Sequence, residues 1–223
     1  MDAEIHDRDD LNDARTALER LSGLLPIELD LRRIGHVSLL PAKAAVLREV
    51  LAYRTTTLGL DAAALIAQGR MLGASTLVRG CMEPVASLVC LRRRVERTIR
   101  EKSTDGLDDF LVGLLLGSKD GTTDVTAPNV LTRLSEAEKE WPELRREYDA
   151  FSEFAHPNFG GGLASFGRTD WERGVVSFSA TEYQLPADAV SPLLAALADV
   201  ALDEHERLRG MEAELCSVCD GAV

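Results

Sequence analysis

The sequence predicts an all-α protein, a helical bundle of about seven helices with one small β-hairpin ahead of the C-terminal helix. Three observations carry that expectation. Aromatic residues make up only 5% of the chain, while leucine, alanine and arginine are abundant, a composition that suits helices and is poor for a sandwich or barrel. Apolar residues recur at three- and four-residue steps over most of the length. Strand-like runs separated by a turn occur in one place only. At 223 residues and 24.3 kDa, one compact domain over 1–223 is the simplest organisation.

Residues 9–21 place Leu11, Ala14, Leu18 and Leu21 on one helical face, and Ser22-Gly23 is expected to end that helix. The segment to Pro41 is too apolar for a free linker and is expected to run along the core surface. Pro41 opens a second helix over 42–58, with Gly59 as its break. Asp61 then caps a long helical stretch through residue 102. Pro84 within it predicts a kink or break near 79–83, since an interior proline loses a hydrogen bond and costs about 3 kcal/mol. Asp105 caps a short helix through Gly117, and SKDGTTD forms a polar loop. Pro128 and Pro142 stand where first turns would start, giving helices over 127–139 and 142–156. His156-Pro157 ends the latter, because proline excludes its predecessor from the helical region. After Gly160 to Gly162, LASFGR and GVVSFSA flank TDWER as a hairpin within the segment 159–185. The C-terminal helix occupies 186–215, with 216–223 as a tail.

There are 37 acidic against 25 basic residues, a formal net charge of −12. That balance disfavours a protein that coats nucleic acid or anionic membrane, so RNA is possible as a partner but disfavoured. The acidic start shows no secretory pattern, and no run reaches the roughly 18 apolar residues a spanning helix needs, so a cytoplasmic protein with no membrane partner is expected. Four cysteines form no disulfide framework in a chain this long. Cys216 and Cys219 lack the second pair that a structural zinc requires, so neither a metal nor a cofactor is expected.

Two constellations stand out. Arg79 and Glu83 are four residues apart in an otherwise apolar helix, where an ion pair is the expected local solution. In YDAFSEFAHPN, residues 148–158, Tyr148 and Phe151 share an apolar face while Ser152, Glu153 and His156 share a polar one. His156 at a helix C-terminus is a chemically possible general acid or base, and His156 with Asn158 could equally cap the helix end. If the two constellations face each other, Arg79, Glu83 and His156 are catalytic candidates, and Tyr148, Ser152 and Asn158 are ligand-binding ones. Arg93, Arg97 and Arg100 form a basic stripe that could track phosphates, although the interspersed Glu96 and Glu101 favour a solvated face. No GxSxG, P-loop, HExxH or strand-borne GxGxxG occurs.

RGCMEP at 79–84, APNVLTRL at 127–134 and YDAFSEFAHPN at 148–158 resemble an uncharacterised bacterial helical family with an Arg-x-x-x-Glu helix and a Ser-Glu-Phe-x-His-Pro-Asn signature. The similarity covers roughly residues 42–180, and such proteins are distantly similar to the HEPN helical bundles, many of which are dimeric toxin or defence ribonucleases. The resemblance implies a helical interaction protein of a bacterial stress or defence module, with a homodimer or another protein as partner. Its alternative is a metal-independent ribonuclease using His156 as general acid/base, Arg79 to stabilise phosphate, and Glu83 and Asn158 to orient them. A sensor of a small ligand is the third reading. HEPN nucleases carry an arginine four to six residues before the histidine, whereas the nearest upstream arginines here are Arg145 and Arg146.

Overall fold

A computed structural model of the chain describes residues 2–35, 37–179 and 187–221. Helix α1 spans Asp2–Leu24, α2 Leu40–Ala67 and α3 Met71–Glu101. Shorter helices follow: α4 (Leu107–Leu116), α5 (Val130–Ala137), α6 (Leu144–Ala155) and the single turn α7 (Ala164–Phe166). Strands β1 (Gly167–Asp170) and β2 (Val175–Phe178) precede α8 (Ala187–Gly210) and α9 (Glu212–Gly221). The all-α bundle with its hairpin is the architecture that composition and periodicity predict.

Helix α3 is the centre. It packs on α2 and α8 along one side and on α5 and α6 along the other, while α1 lies mainly against α8. Its buried face runs through Val78, Met82, Val85, Leu88, Leu91 and Val95, which join Leu18, Leu47, Leu134, Phe151 and Leu197 from neighbouring helices in one core. By length and composition alone α3 could cross a membrane, but 67% of its apolar window is buried by the other helices.

The helix ends expected at Gly23, Gly117 and Pro157 are present, but those at Gly59 and Pro84 are not. Helix α2 passes straight through Gly59, because that glycine is a crossing point: a Cβ there would lie 2.8 Å from both Leu18 methyl carbons of α1. The chain reverses instead at Gln68-Gly69-Arg70. There Gly69 takes φ +70°, and the Gly69 and Arg70 amides donate to Ile66 O (2.9 Å) and Leu65 O (2.9 Å), closing the helix end. Pro84 does not break α3 either, and burial of Val85, Ala86 and Leu88 beside it offsets the lost bond. Asn129, rather than a proline in the first turn, caps α5 by accepting from the Leu131 amide at 3.0 Å.

Toward the C-terminus, Leu163 to Phe166 are helical, so the first strand is Gly167–Asp170 rather than LASFGR. The strands pair antiparallel, with Gly167 opposite Phe178 and Asp170 opposite Val175. The expected end of the second strand at 180 and the start of the last helical segment at 186 lie outside the described residues. The expected tail is helix α9, whose Leu215 and Cys219 are buried. It packs against α2 and α3.

Two networks of buried charge cross-link the long helices. Arg92 of α3 donates to Glu204 of α8 (2.7 Å) and Glu96 (2.6 Å) and also bonds Glu140. On α2, Glu49 accepts from Arg48 (2.6 Å) and bonds Nε2 of the fully buried His205 (2.9 Å), while Arg48 reaches Glu212 of α9 (2.9 Å).

Candidate functional site

Arg79 lies on the α3 face that meets α6, and its guanidinium contacts three side chains there. Nε donates to Ser152 Oγ (2.8 Å), Nη2 donates to the Tyr148 hydroxyl (2.5 Å), and Nη1 lies 3.6 Å from Glu83. The Tyr148 hydroxyl donates onward to Glu83 Oε1 at 3.1 Å, and Ser152 donates back to the Tyr148 carbonyl at 2.7 Å. Burial, and next the Glu83 carboxylate, hold the Tyr148 pKa above its ordinary value, so the hydroxyl remains a donor. The guanidinium carbon also sits 4.5 Å from the Tyr148 ring centroid, adding a cation–π contact. Four of the residues singled out in the sequence therefore converge in one group joined by hydrogen bonds and an ion pair. As a unit they clamp α6 onto α3.

His156 and Asn158 stand beyond this clamp. His156 is the C-terminal cap of α6, with the extended backbone that Pro157 requires, and its side chain is exposed. Among the described residues no hydrogen bond or ion pair joins it to Arg79 or Glu83. Asn158 bonds Glu153 and accepts from the Gly161 amide at 3.2 Å, fixing the wide turn Phe159–Leu163. A Cβ on Gly161 would lie 2.1 Å from the His156 carbonyl oxygen, so only glycine allows the chain to fold back so closely. The signature SEFAHPN thus sets the direction in which the chain leaves α6 toward the hairpin.

Arg93, Arg97 and Arg100 lie along one wall of a groove of about 640 Å³ between α3, α4 and α5. Each has an acidic neighbour: Arg93 lies 3.5 Å from Glu140, and Arg97 and Arg100 lie 2.8 and 3.4 Å from Glu101. The same groove contains Arg94 and Arg133, which sequence reading did not single out. The signal was present in part, as Arg94 stands in the basic run and Arg133 in APNVLTRL. What distinguishes them, the absence of an ion-paired carboxylate among the described residues, is a tertiary property.

The cysteines are free, and Cys81 and Cys90 are buried in α3. Burial, reinforced by Glu136, pushes the Cys90 thiol up to about 11, which leaves it a poor nucleophile. Cys216 and Cys219 lie three apart on α9, and burial pushes Cys219 up to about 11 as well. Among the described residues no cluster of three or more His, Cys, Asp or Glu side chains could hold a metal ion. No family model, curated protein or solved structure matches the chain.

Proposed function

We propose that this protein is a non-catalytic interaction protein that assembles as a homodimer through its β-hairpin. The observation that supports this reading is the exposure of apolar side chains along the hairpin. All four residues of β2 are exposed, Phe178 at 76%, and Trp171 at the turn is exposed at 86%. A two-stranded ribbon is marginal alone, and large apolar groups gathered on one are a contact surface. Val176 and Phe178 alternate onto one face of the ribbon.

A second copy fits this surface for two reasons. Edge strands that stay unpaired carry charges, as β1 does with Arg168 and Asp170, whereas β2 carries none and, among the described residues, offers a free edge for antiparallel pairing with its twin. In a chain of net charge −12, copies repel over most of their surface, but in the hairpin Arg168 and Arg173 balance Asp170 and Glu172. The Arg79 clamp and the Asn158 turn hold the ribbon in a defined direction. With the HEPN-like resemblance carried by those residues, the reading extends to a stress or defence assembly.

Sedimentation velocity over a wide concentration range tests the dimer. The wild type is expected to dimerise, and Val176→Lys/Phe178→Glu is expected to remain monomeric with an unchanged circular dichroism spectrum. A monomeric wild type, or a variant that still dimerises, overturns the reading.

The ribonuclease alternative draws on one observation, the exposed imidazole of His156 a turn beyond Ser152. Against it stands the engagement of Arg79 by Ser152, Tyr148 and Glu83, which leaves that guanidinium committed. Wild type and His156→Ala are expected to leave single-stranded RNA equally intact. Cleavage that disappears in His156→Ala would make the nuclease the better reading.

A further inference from the structure

The groove between α3, α4 and α5 carries an inference independent of the dimer. Its volume of about 640 Å³ suits a small molecule. Phe110 and Leu114 of α4, with Cys90 and Pro128, supply apolar lining. Arg94 and Arg133 supply charge.

These two guanidiniums differ from the other arginines of the groove. Arg94 donates Nη2 to the Asp105 carbonyl (2.7 Å) and Arg133 donates Nη1 to the Pro128 carbonyl (3.1 Å), yet neither forms an ion pair with a carboxylate among the described residues. The Nε of each is buried without a hydrogen-bond partner among the described residues. Burial also lowers the Arg133 pKa, the mark of a cation whose lost water is offset only in part by the negative groups around it, Glu83 among them. Desolvating a cation without a partner is costly, and Arg92, one position from Arg93 in the same helix, shows how this protein otherwise treats a buried guanidinium: it surrounds it with three carboxylates.

We propose that the α3–α4–α5 groove binds a small amphipathic anion, a carboxylate or phosphate head group held by Arg94 and Arg133 with its apolar body against Phe110 and Leu114. A planar guanidinium matches either head group with paired hydrogen bonds. A polyanion such as RNA fits poorly, because Glu96, Asp109, Glu136 and Glu140 also line the groove and would repel the phosphates flanking the one that is bound.

Titration calorimetry of the full chain with decanoate and with decyl phosphate tests this, with decanol and inorganic phosphate as the two half-ligands. Saturable one-to-one binding of at least one amphiphilic anion is expected, with each half-ligand bound at least roughly tenfold more weakly, and a loss of roughly tenfold or more in Arg133→Gln and in Arg94→Gln. Glutamine retains a donor for the Pro128 or Asp105 carbonyl, and the two variants lie on different helices, so either one that folds decides the matter. Absence of saturable binding by both anions, decanol binding as tightly as they do, or undiminished affinity in a folded variant overturns the proposal.

Discussion

Arg92→Met is expected to destabilise the fold by about 3–5 kcal/mol at neutral pH, the scale on which a buried charge is left without its partner. Methionine fills much of the same space, so the loss is electrostatic more than steric. Arg92 is buried in the centre of the bundle and draws together α3, α8 and the segment after α5 through Glu96, Glu204 and Glu140. Burial alone would lower its pKa, but the bonds to Glu140 and Glu204 outweigh that and hold it above its ordinary value. Glu204 sits the other way. Burial raises its pKa, and Arg92 offsets this only in part, since three carboxylates share one guanidinium.

The pH dependence follows from that asymmetry. A carboxylate whose folded-state pKa exceeds its unfolded value of about 4.5 stabilises the fold when protonated, and that contribution is lost as the pH rises through the folded value. Without Arg92 the cost of ionising Glu204 grows, leaving Arg207 at 3.7 Å as its remaining cation among the described residues. The gap between Arg92→Met and wild type in urea unfolding should therefore be widest at neutral pH and narrow toward about pH 5. A gap that is constant with pH would locate the loss in packing instead.

Glu49→Ala should cost a similar amount, about 3–5 kcal/mol, through a different mechanism. His205 is fully buried, its Nδ1 already lacks a partner, and Glu49 is the sole partner of its Nε2 among the described residues. Removing Glu49 leaves an imidazole with neither nitrogen satisfied and takes one of two carboxylates from Arg48. Burial would raise the Glu49 pKa, but the His205 hydrogen bond and the Arg48 charge together bring it below the ordinary value. A depressed folded-state pKa contributes stability above the unfolded value of about 4.5, and that stability is lost as the pH falls through the folded value. The penalty of Glu49→Ala is thus expected in full at neutral pH and to shrink below about pH 4.5. Replacing both partners, as in Glu49→Leu/His205→Leu, should recover much of the loss, since an apolar pair needs no hydrogen bonds. A double variant as unstable as Glu49→Ala would show that the pair is needed for more than mutual satisfaction.

Part of this was legible in the residues themselves. The three- and four-residue spacing of Leu11, Ala14, Leu18 and Leu21 sufficed for the first helix, and His156-Pro157 for the end of α6. The (i, i+4) pairing of Arg79 and Glu83 was readable because it is local to one helix. At Gly59 and Pro84 the expected breaks did not form, since within a long helix tertiary packing decides whether a weak point is a break or a contact. The turn at Gly69 and the close return at Gly161 are glycine positions of the kind that backbone conformation or close approach does require.

The site divides the same way. Tyr148, Ser152, Arg79 and Glu83 could be nominated from two short segments, but that they form one closed clamp follows from α6 packing on α3, across a sequence separation of 73 residues from Arg79 to Ser152. Glu49 and Arg92 each have a local partner in Arg48 and Glu96, but His205 and Glu204 lie 156 and 112 residues away, so no local pattern shows that these pairs cross-link distant helices. Arg94 and Arg133 look in the sequence like ordinary surface arginines. Composition and periodicity determined by themselves that this chain is a helical bundle with one hairpin, because helical amphipathicity and turn chemistry are properties of neighbouring residues. Which arginines are paired, which are left desolvated and which apolar residues stay exposed was decided only by the tertiary structure, because desolvation and charge pairing depend on what distant segments bring within a few ångströms.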